Sequence, residues 1–522
     1  MPEPPVQAPV ATPLTTPTYP ISGFFIAASS RDSANSQKLS DIKTFGGDTV
    51  ITFGTALQPV SQKTLPRDCL IDGKSCATVV AGPLKINRYF TFLDGSHWGP
   101  SILRCPGDRS VVNNGLTFAV LLIPNEGQGC TSTNGSYDVV VAGGSAANAS
   151  DQYSSLASAA TKLKMKYFAG LPAPAKRADI RYLPDLSYTR TLAIFTERFL
   201  QYQSQENDLP GLAGFYHHTE IPLADSPTYD SVLALYASQN QLIHRILPDR
   251  QAVVSPYIEA RLGKASSSPQ EAGVAVRKIA QTSNGVVLNI AIQDGMGTGK
   301  GGAFSSSEAN SPVDPSSAAA VGKGSWASKY VAPNRDYFAA AAAGVAGTSA
   351  VLWANVEGMT PASNTSSCGD GFRGLTTKAR LDRQLKQVVN AQKIVSYMWD
   401  SFFNCAGKGT ALKDQLEAGL KTPILTDVTF RPDTGQIQVA GFNLQGSSVK
   451  VRWTTAEGHP QLKVLKASGT NAGYGLQHGL NPGLEMISIG VGKTTIETGS
   501  TYSLTVTNGW GGTAPQFFSS LG

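Results

Sequence analysis

The sequence predicts a (β/α)₈ barrel followed by an all-β sandwich, and three observations carry that reading. From about residue 150 to residue 400, short apolar runs alternate with amphipathic stretches, the pattern of strand–helix repeats around a parallel sheet. After residue 423 the helical pattern stops, and short alternating strands separated by Gly, Pro and Asn take over. The chain has 522 residues, too many for one ordinary domain and suited to a large barrel with a smaller module.

In order, residues 1–20 read as a Pro/Thr-rich tail or linker, extended by composition. The barrel occupies 21–423, opening with a strand at 21–28, a helix at 35–45 and a second strand at 48–54. Residues 56–150 then form a large Gly- and Cys-rich insertion, with strand-like pieces at 87–93, 116–123 and 137–141. Long excursions of this kind commonly build a binding cleft. A helix at 150–164 leads to strand three at 166–171, and a helix at 189–205 to strand four at 211–216. Helices at 228–246 and 268–282 precede strands five and six, at 251–257 and 285–294. Helices at 335–346 and 377–392 precede strands seven and eight, at 349–353 and 393–400. The sandwich, 424–522, has expected strands at 426–430, 436–442, 448–454, 461–467, 486–490 and 502–507. Trp453 and Trp510 there are either core and edge residues or a sugar platform, and aromatic burial favours the first.

Composition excludes several classes. Charged residues are 15% of the chain and the net charge is +6, without a basic block, so a nucleic-acid partner is not expected. No run of about 18 apolar residues predicts a membrane span. The opening Met1-Pro-Glu-Pro-Pro lacks the apolar core of an export signal. Six cysteines nonetheless point to an exported protein whose signal has been removed, because their loop positions and even number suit disulfides. Sequential pairing is expected: Cys69 with Cys76, Cys105 with Cys130, Cys368 with Cys405. Sequons at Asn134, Asn148 and Asn364 agree with export. A monomer is expected.

The chemistry sits at strand ends. Val351-Leu-Trp353-Ala-Asn355-Val-Glu357-Gly reads as an apolar strand ending in a carboxylate, and Leu212-Ala-Gly-Phe-Tyr216-His217-His218-Thr-Glu220 has the same form. In a parallel barrel the C-terminal strand ends form the active face, so each Glu is a candidate nucleophile or acid/base. A Glu that merely caps its loop is the competing reading. Other strand ends offer ligand-binding candidates: Tyr257, Gln293, Asp294 and Asp400, with Asp294 as an alternative acid. Glu259 followed by Arg261 reads as a rim ion pair. The run Gly295-Met-Gly-Thr-Gly-Lys300-Gly-Gly302 lacks the spacing of a phosphate loop and reads as a flexible loop over the cleft. No metal-ligand motif is present, and no cofactor is expected.

In barrel order Glu220 ends strand four and Glu357 strand seven. This placement resembles the clan A superfamily of retaining TIM-barrel glycoside hydrolases, over roughly residues 21–405. Ser22-Gly-Phe-Phe, Gly214-Phe-Tyr-His-His-Thr-Glu220 and Trp353-Ala-Asn-Val-Glu357 look like a poorly characterised secreted branch of it. The resemblance implies Glu220 as acid/base, Glu357 as nucleophile and Trp399 as the aromatic floor beneath the reacting sugar. Tyr216, His217, His218, Tyr257, Gln293, Asp294, Trp353, Asn355 and Asp400 would then contact an oligosaccharide or polysaccharide. One departure is that Thr219 stands where the superfamily has Asn. The alternative is a catalytically inert, glycan-binding barrel of an adhesion or matrix protein.

Overall fold

In a computed structural model, residues 14–146, 149–180, 183–365, 367–455, 457–493 and 501–520 are described. Asn148 lies outside them. The chain forms two compact units, one spanning residues 21–414 and the other residues 415–522 with the N-terminal segment up to residue 20.

The first unit is a closed parallel barrel. Its strands are β1 (Gly23–Ile26), β2 (Thr49–Thr52), β3 (Lys166–Gly170), β4 (Leu212–His217), β5 (Gln251–Val254), β6 (Leu288–Gln293), β7 (Val351–Glu357) and β8 (Lys393–Tyr397). They neighbour one another in chain order, and β8 closes onto β1 with Gly23 opposite Val395. This is the TIM-barrel topology the sequence predicts. Helices lie between strands at Gln152–Leu163, Thr189–Glu206, Asp230–Ile246, Pro269–Ala280 and Asn334–Val345. The expected helix at 377–392 is shorter, Lys378–Leu385, and the Gly/Ser-rich connection before β7 contains two short helices, Pro315–Val321 and Trp326–Lys329.

Strand pleat explains the interior. Each strand contributes one residue to a buried inner layer: Phe25, Ile51, Phe168, Tyr216, Val253, Ala291, Trp353 and Val395. Side chains alternate across a strand, so residues two further on face inward again, one layer nearer the C-terminal mouth. Those positions hold Phe53, His218, Ser255, Gln293, Asn355 and Tyr397. Polar residues therefore begin one layer above the apolar fill.

The insertion between β2 and β3 builds a six-stranded sheet, in the order Ala173–Pro174, Ala56–Val60, Lys85–Phe92, Ser136–Ala146, Leu116–Pro124, Arg109–Asn113. Its first member comes from the segment after β3 and pairs in parallel with Ala56–Val60. The Cys69–Cys76 and Cys105–Cys130 disulfides lie in this insertion, and Cys368–Cys405 links the loops after β7 and β8.

The second unit consists of two four-stranded antiparallel sheets sharing one buried core, to which Ile437, Val439, Ile487, Val449, Val451 and Leu504 contribute. Two strands beyond the six expected appear, Thr470–Asn471 and Phe517–Ser520. Trp453 is core, with the Lys463 ammonium 5.7 Å from its ring. Residues 14–20, read from composition as a tail, hydrogen-bond to this unit: Thr15 N–H donates to Gln445 (3.1 Å) and Thr18 N–H to Asn443 (3.4 Å).

Candidate active site

Two carboxylates reach one cavity at the C-terminal mouth. Glu220 follows β4 and Glu357 ends β7, and both line a cavity of about 300 Å³ with Phe25, Phe53, Tyr397 and Met359 as apolar walls. Gln293, Asn355, His218 and Arg373 complete its polar lining. A second cavity of about 610 Å³ shares Glu220 and His218 with the first. Its other walls include Ala56 and Gln58 of the insertion sheet, residues 173–176, Tyr257 and Lys300. Glu220 thus stands where the two spaces meet, and Glu357 faces the inner one alone.

The environments of the two carboxylates differ. Glu220 is half-buried and accepts a hydrogen bond from the Tyr216 hydroxyl at 2.9 Å. Burial, and then the Glu220 charge, hold the Tyr216 phenol well above its ordinary pKa, so it remains a donor. Glu357 is 2% exposed and accepts the Thr298 N–H at 2.9 Å. Burial pushes its pKa up, opposed by the charges of Lys300 and Arg373 and by the backbone N–H groups of Thr298 and Gly297. Among the described residues neither Glu makes an ion pair.

The Gly295–Gly302 run, expected as a flexible loop, is instead a hydrogen-bonded cradle. Lys300 N–H and Gly301 N–H both donate to the Gly295 carbonyl, at 2.8 and 3.0 Å. Gly297 must be glycine, since a Cβ there would lie 2.7 Å from Glu357 Cβ and 2.4 Å from Met359 Cγ. Gly301 in turn lets the backbone close on itself, since a Cβ there would lie 2.0 Å from the Asp294 carbonyl oxygen.

Asp294, expected to contact ligand, is fully buried beneath this cradle and outside both cavities. Its Oδ1 accepts from Met296 N–H (3.1 Å) and Glu357 N–H (3.2 Å), while Oδ2 has no partner. Burial first, and then the Glu357 charge, push its carboxyl up to about 8. The two acids share a site that tolerates one negative charge, and the cations and N–H donors around Glu357 favour its being there.

The pleat separates the other expected residues. His218 faces the cavities, its Nδ1 bonded to the Gly54 carbonyl and its ring 5.5 Å from Phe53. His217 faces the opposite way. It is 1% exposed, held at both ring nitrogens by Gln239 and Asn240 (2.8 Å each), and burial lowers its pKa, so it is a packing residue. Gln293 and Asn355 face the cavity, bonded to the Ser255 carbonyl (2.8 Å) and hydroxyl (3.0 Å) respectively. Tyr257 lines the outer cavity, with the Lys300 ammonium 3.6 Å above its ring. Trp353 lies in the barrel core, edge-on to Phe168 at 5.8 Å. Trp399 is not the floor of the site: it packs among Phe24 (4.9 Å), Phe45 (5.7 Å) and Phe403 (6.3 Å), because the chain turns helical at Trp399–Phe403. Tyr397, two residues earlier and still on the strand, supplies the aromatic wall. Asp400 is a rim residue, paired with Lys38 (2.5 Å) and accepting the Ala27 N–H (2.9 Å). Glu259 and Arg261 form the expected ion pair at 2.5 Å.

Sequence reading missed Lys300, Thr298, Arg373 and Tyr397. Tyr397 was accessible from the period of two running from Val395. Arg373 sits in the connection after β7, paired to Asp370 and 5.2 Å from the Tyr397 ring, and no local pattern marks it. Among the described residues no group of three or more His, Cys, Asp or Glu could hold a metal ion, and no helix is long and apolar enough to cross a membrane.

Comparison with known proteins finds no matching family model and no matching curated relative. Solved structures do match. A protein of Bacteroides thetaiotaomicron proposed to be an alpha-L-fucosidase is 12% identical, with 79% of this chain and 96% of that one covered and a TM-score of 0.43. An endo-beta-1,4-mannanase from Thermotoga petrophila is 10% identical, covering 96% and 97%, at a TM-score of 0.29. Bacteroides uniformis beta-glucuronidase 2, covalently bound to cyclophellitol-6-carboxylate aziridine, is 9% identical over 70% of this chain and 40% of its own, at 0.29. These neighbours are glycoside hydrolases. At such scores their activities do not transfer, and the functional reading rests on the site.

Proposed function

We propose that the chain is an exported retaining glycoside hydrolase that cleaves within a polysaccharide, with Glu357 as nucleophile and Glu220 as acid/base. The observation that carries this reading is the shared cavity: two carboxylates, one after β4 and one ending β7, without an ion pair among the described residues, face one space large enough for a sugar ring. In the first step a Glu357 oxygen forms a bond to the anomeric carbon as the glycosidic C–O bond breaks. Glu220 gives its proton to the departing oxygen. In the second, Glu220 takes a proton from water as that water's oxygen attacks the same carbon, and Glu357 leaves as carboxylate. The donors and cations about Glu357 oppose the rise that burial imposes on its pKa and so favour the charged form that attack needs, and Glu220 reaches the outer cavity, where a leaving sugar would lie. Three disulfides support an oxidising destination. The test is turnover on a panel of plant, fungal and bacterial polysaccharides by the parent, Glu220→Gln and Glu357→Gln. A parent inactive on every polymer, yet binding one of them, would favour an inert glycan-binding barrel.

A further inference from the structure

The outer cavity has an unbalanced charge. Among the described residues two ammonium groups, Lys300 and Lys176, line it against a single carboxylate, Glu220. The Lys300 ammonium is the informative member. It lies 3.6 Å above the Tyr257 ring and, among the described residues, makes no ion pair within 4 Å and no side-chain hydrogen bond. The nearby cation Arg261 is satisfied by Glu259 through two bonds, at 2.7 and 2.5 Å, so that carboxylate is already engaged. Burial pulls the Lys300 ammonium below its ordinary range, and Glu357, Glu259 and Glu220 act on it only at longer distance. A partly desolvated ammonium without an acceptor is costly unless something arriving from outside supplies one. The aromatic face beneath it offers a cation–π contact but no oxygen to accept its N–H donors.

Position decides what that acceptor belongs to. Glu357 faces only the inner cavity and Glu220 faces both, so the outer cavity is the side on which the leaving group is protonated. We propose that this cavity receives a sugar bearing an anionic group, a carboxylate or a sulfate ester, held by Lys300 with Lys176 at the rim, so that the substrate is an acidic glycan. This rests on the hydrolase reading above.

The experiment compares kcat/KM on uronate-containing polysaccharides with that on their carboxyl-reduced forms, and on sulfated polysaccharides with that on their desulfated forms. The parent should prefer one acidic polymer over its neutralised counterpart by about tenfold or more, as expected for one charge-assisted contact. Whichever pair shows the preference identifies the anion. Lys300→Gln should bring that ratio close to one, Lys300→Arg should retain most of it, and Lys176→Gln should reduce it in part. The ratio is the readout because general damage lowers both rates together. If Lys300→Gln is inactive, binding of the same oligosaccharide pairs to Glu357→Gln, with and without Lys300→Gln, reads the preference without turnover. Equal cleavage of acidic and neutral forms overturns the acidic-glycan inference and leaves hydrolysis standing. Cleavage of no polymer in any pair overturns both.

Discussion

The ends of β4 and β7 carry the same residue type in contrasting surroundings. Glu220 stands beyond its strand, half-buried, with the Tyr216 phenol as its donor and two cavities before it. Glu357 is the last residue of its strand, 2% exposed, cradled by a glycine loop and flanked by a buried acid and two cations. A group that must exchange a proton with a leaving group and with water needs access, whereas a group that must attack one carbon needs fixed position and charge. Under the proposed hydrolase reading the difference fits Glu220 to the first role and Glu357 to the second, although the two side chains are chemically identical.

The sharpest way to break this comparison is to neutralise each end. Glu357→Gln should lower kcat by about 10⁴-fold or more, near 5.5 kcal/mol of lost transition-state stabilisation, on every substrate. Glu220→Gln should lose as much on polysaccharide but far less on aryl glycosides, whose leaving groups need no proton. Equal losses on both substrate types would remove the distinction. Proton NMR of the fresh product completes the test: the starting anomer should appear first, and the opposite anomer would take the nucleophile role from Glu357.

The β7 side is stapled by Cys368–Cys405, which closes a 37-residue separation between the loops following β7 and β8. Replacing both cysteines by serine should cost about 4 kcal/mol by the chain-entropy argument, read as a lowered denaturation midpoint. Activity should fall with it, since Arg373 lies within the closed loop. An unchanged midpoint would mean that the packing, not the staple, orders this side.

Asp294 sharpens the contrast through pH. Its folded carboxyl is held up to about 8, against an ordinary 3.8. The folded chain therefore carries an extra proton between those values. The resulting stability is complete below about pH 4 and declines as pH rises toward 8, by up to about 1.4 kcal/mol per unit. Asp294→Asn should flatten that slope in denaturant titrations at pH 5 and pH 8. Because Asp294 is neutral below about pH 8, the substitution removes no charge beside Glu357 on the acid limb of kcat/KM and should leave that limb in place. Parallel slopes for parent and variant would show that Asp294 is not the protonated partner.

The smallest effects separate the two histidines of β4. His217→Phe should cost about 1–3 kcal/mol of stability by leaving Gln239 and Asn240 unsatisfied, with kcat/KM unchanged in the folded fraction. His218→Ala should leave the melting midpoint within about 0.5 kcal/mol of the parent and raise KM. Reversed outcomes would mean that the pleat of β4 is misread.

That pleat also marks what the sequence made legible. Strand order, the insertion, the sandwich and all three cysteine pairs follow from apolar periodicity and loop position, which are local properties. Glu220 and Glu357 stood out because an apolar run ending in a carboxylate is itself local. Applying the period of two from Tyr216 separates His218 from His217, and from Val395 it selects Tyr397 over Trp399. Residue type had grouped each of these pairs together. Lys300 and Arg373 gave no such signal, since each reaches the site from a connection whose path is set by tertiary packing. The glycines at 295–302 looked like slack, yet Gly297 is the space that backbone needs beside the buried Glu357.

The two-residue strand Ala173–Pro174 has a consequence for how this wall can be altered or inherited. The sheet walling the outer cavity is sewn from two different connections of the barrel, one before β3 and one after it. It is therefore not a cassette. Excising 56–146 would strip the edge that Ala173–Pro174 pairs with, and moving that stretch into another barrel would deliver the wall without its hem. Changes to this wall must alter both seams together, so new ligand preferences should arise here by substitution along the wall more readily than by exchange of the whole insertion.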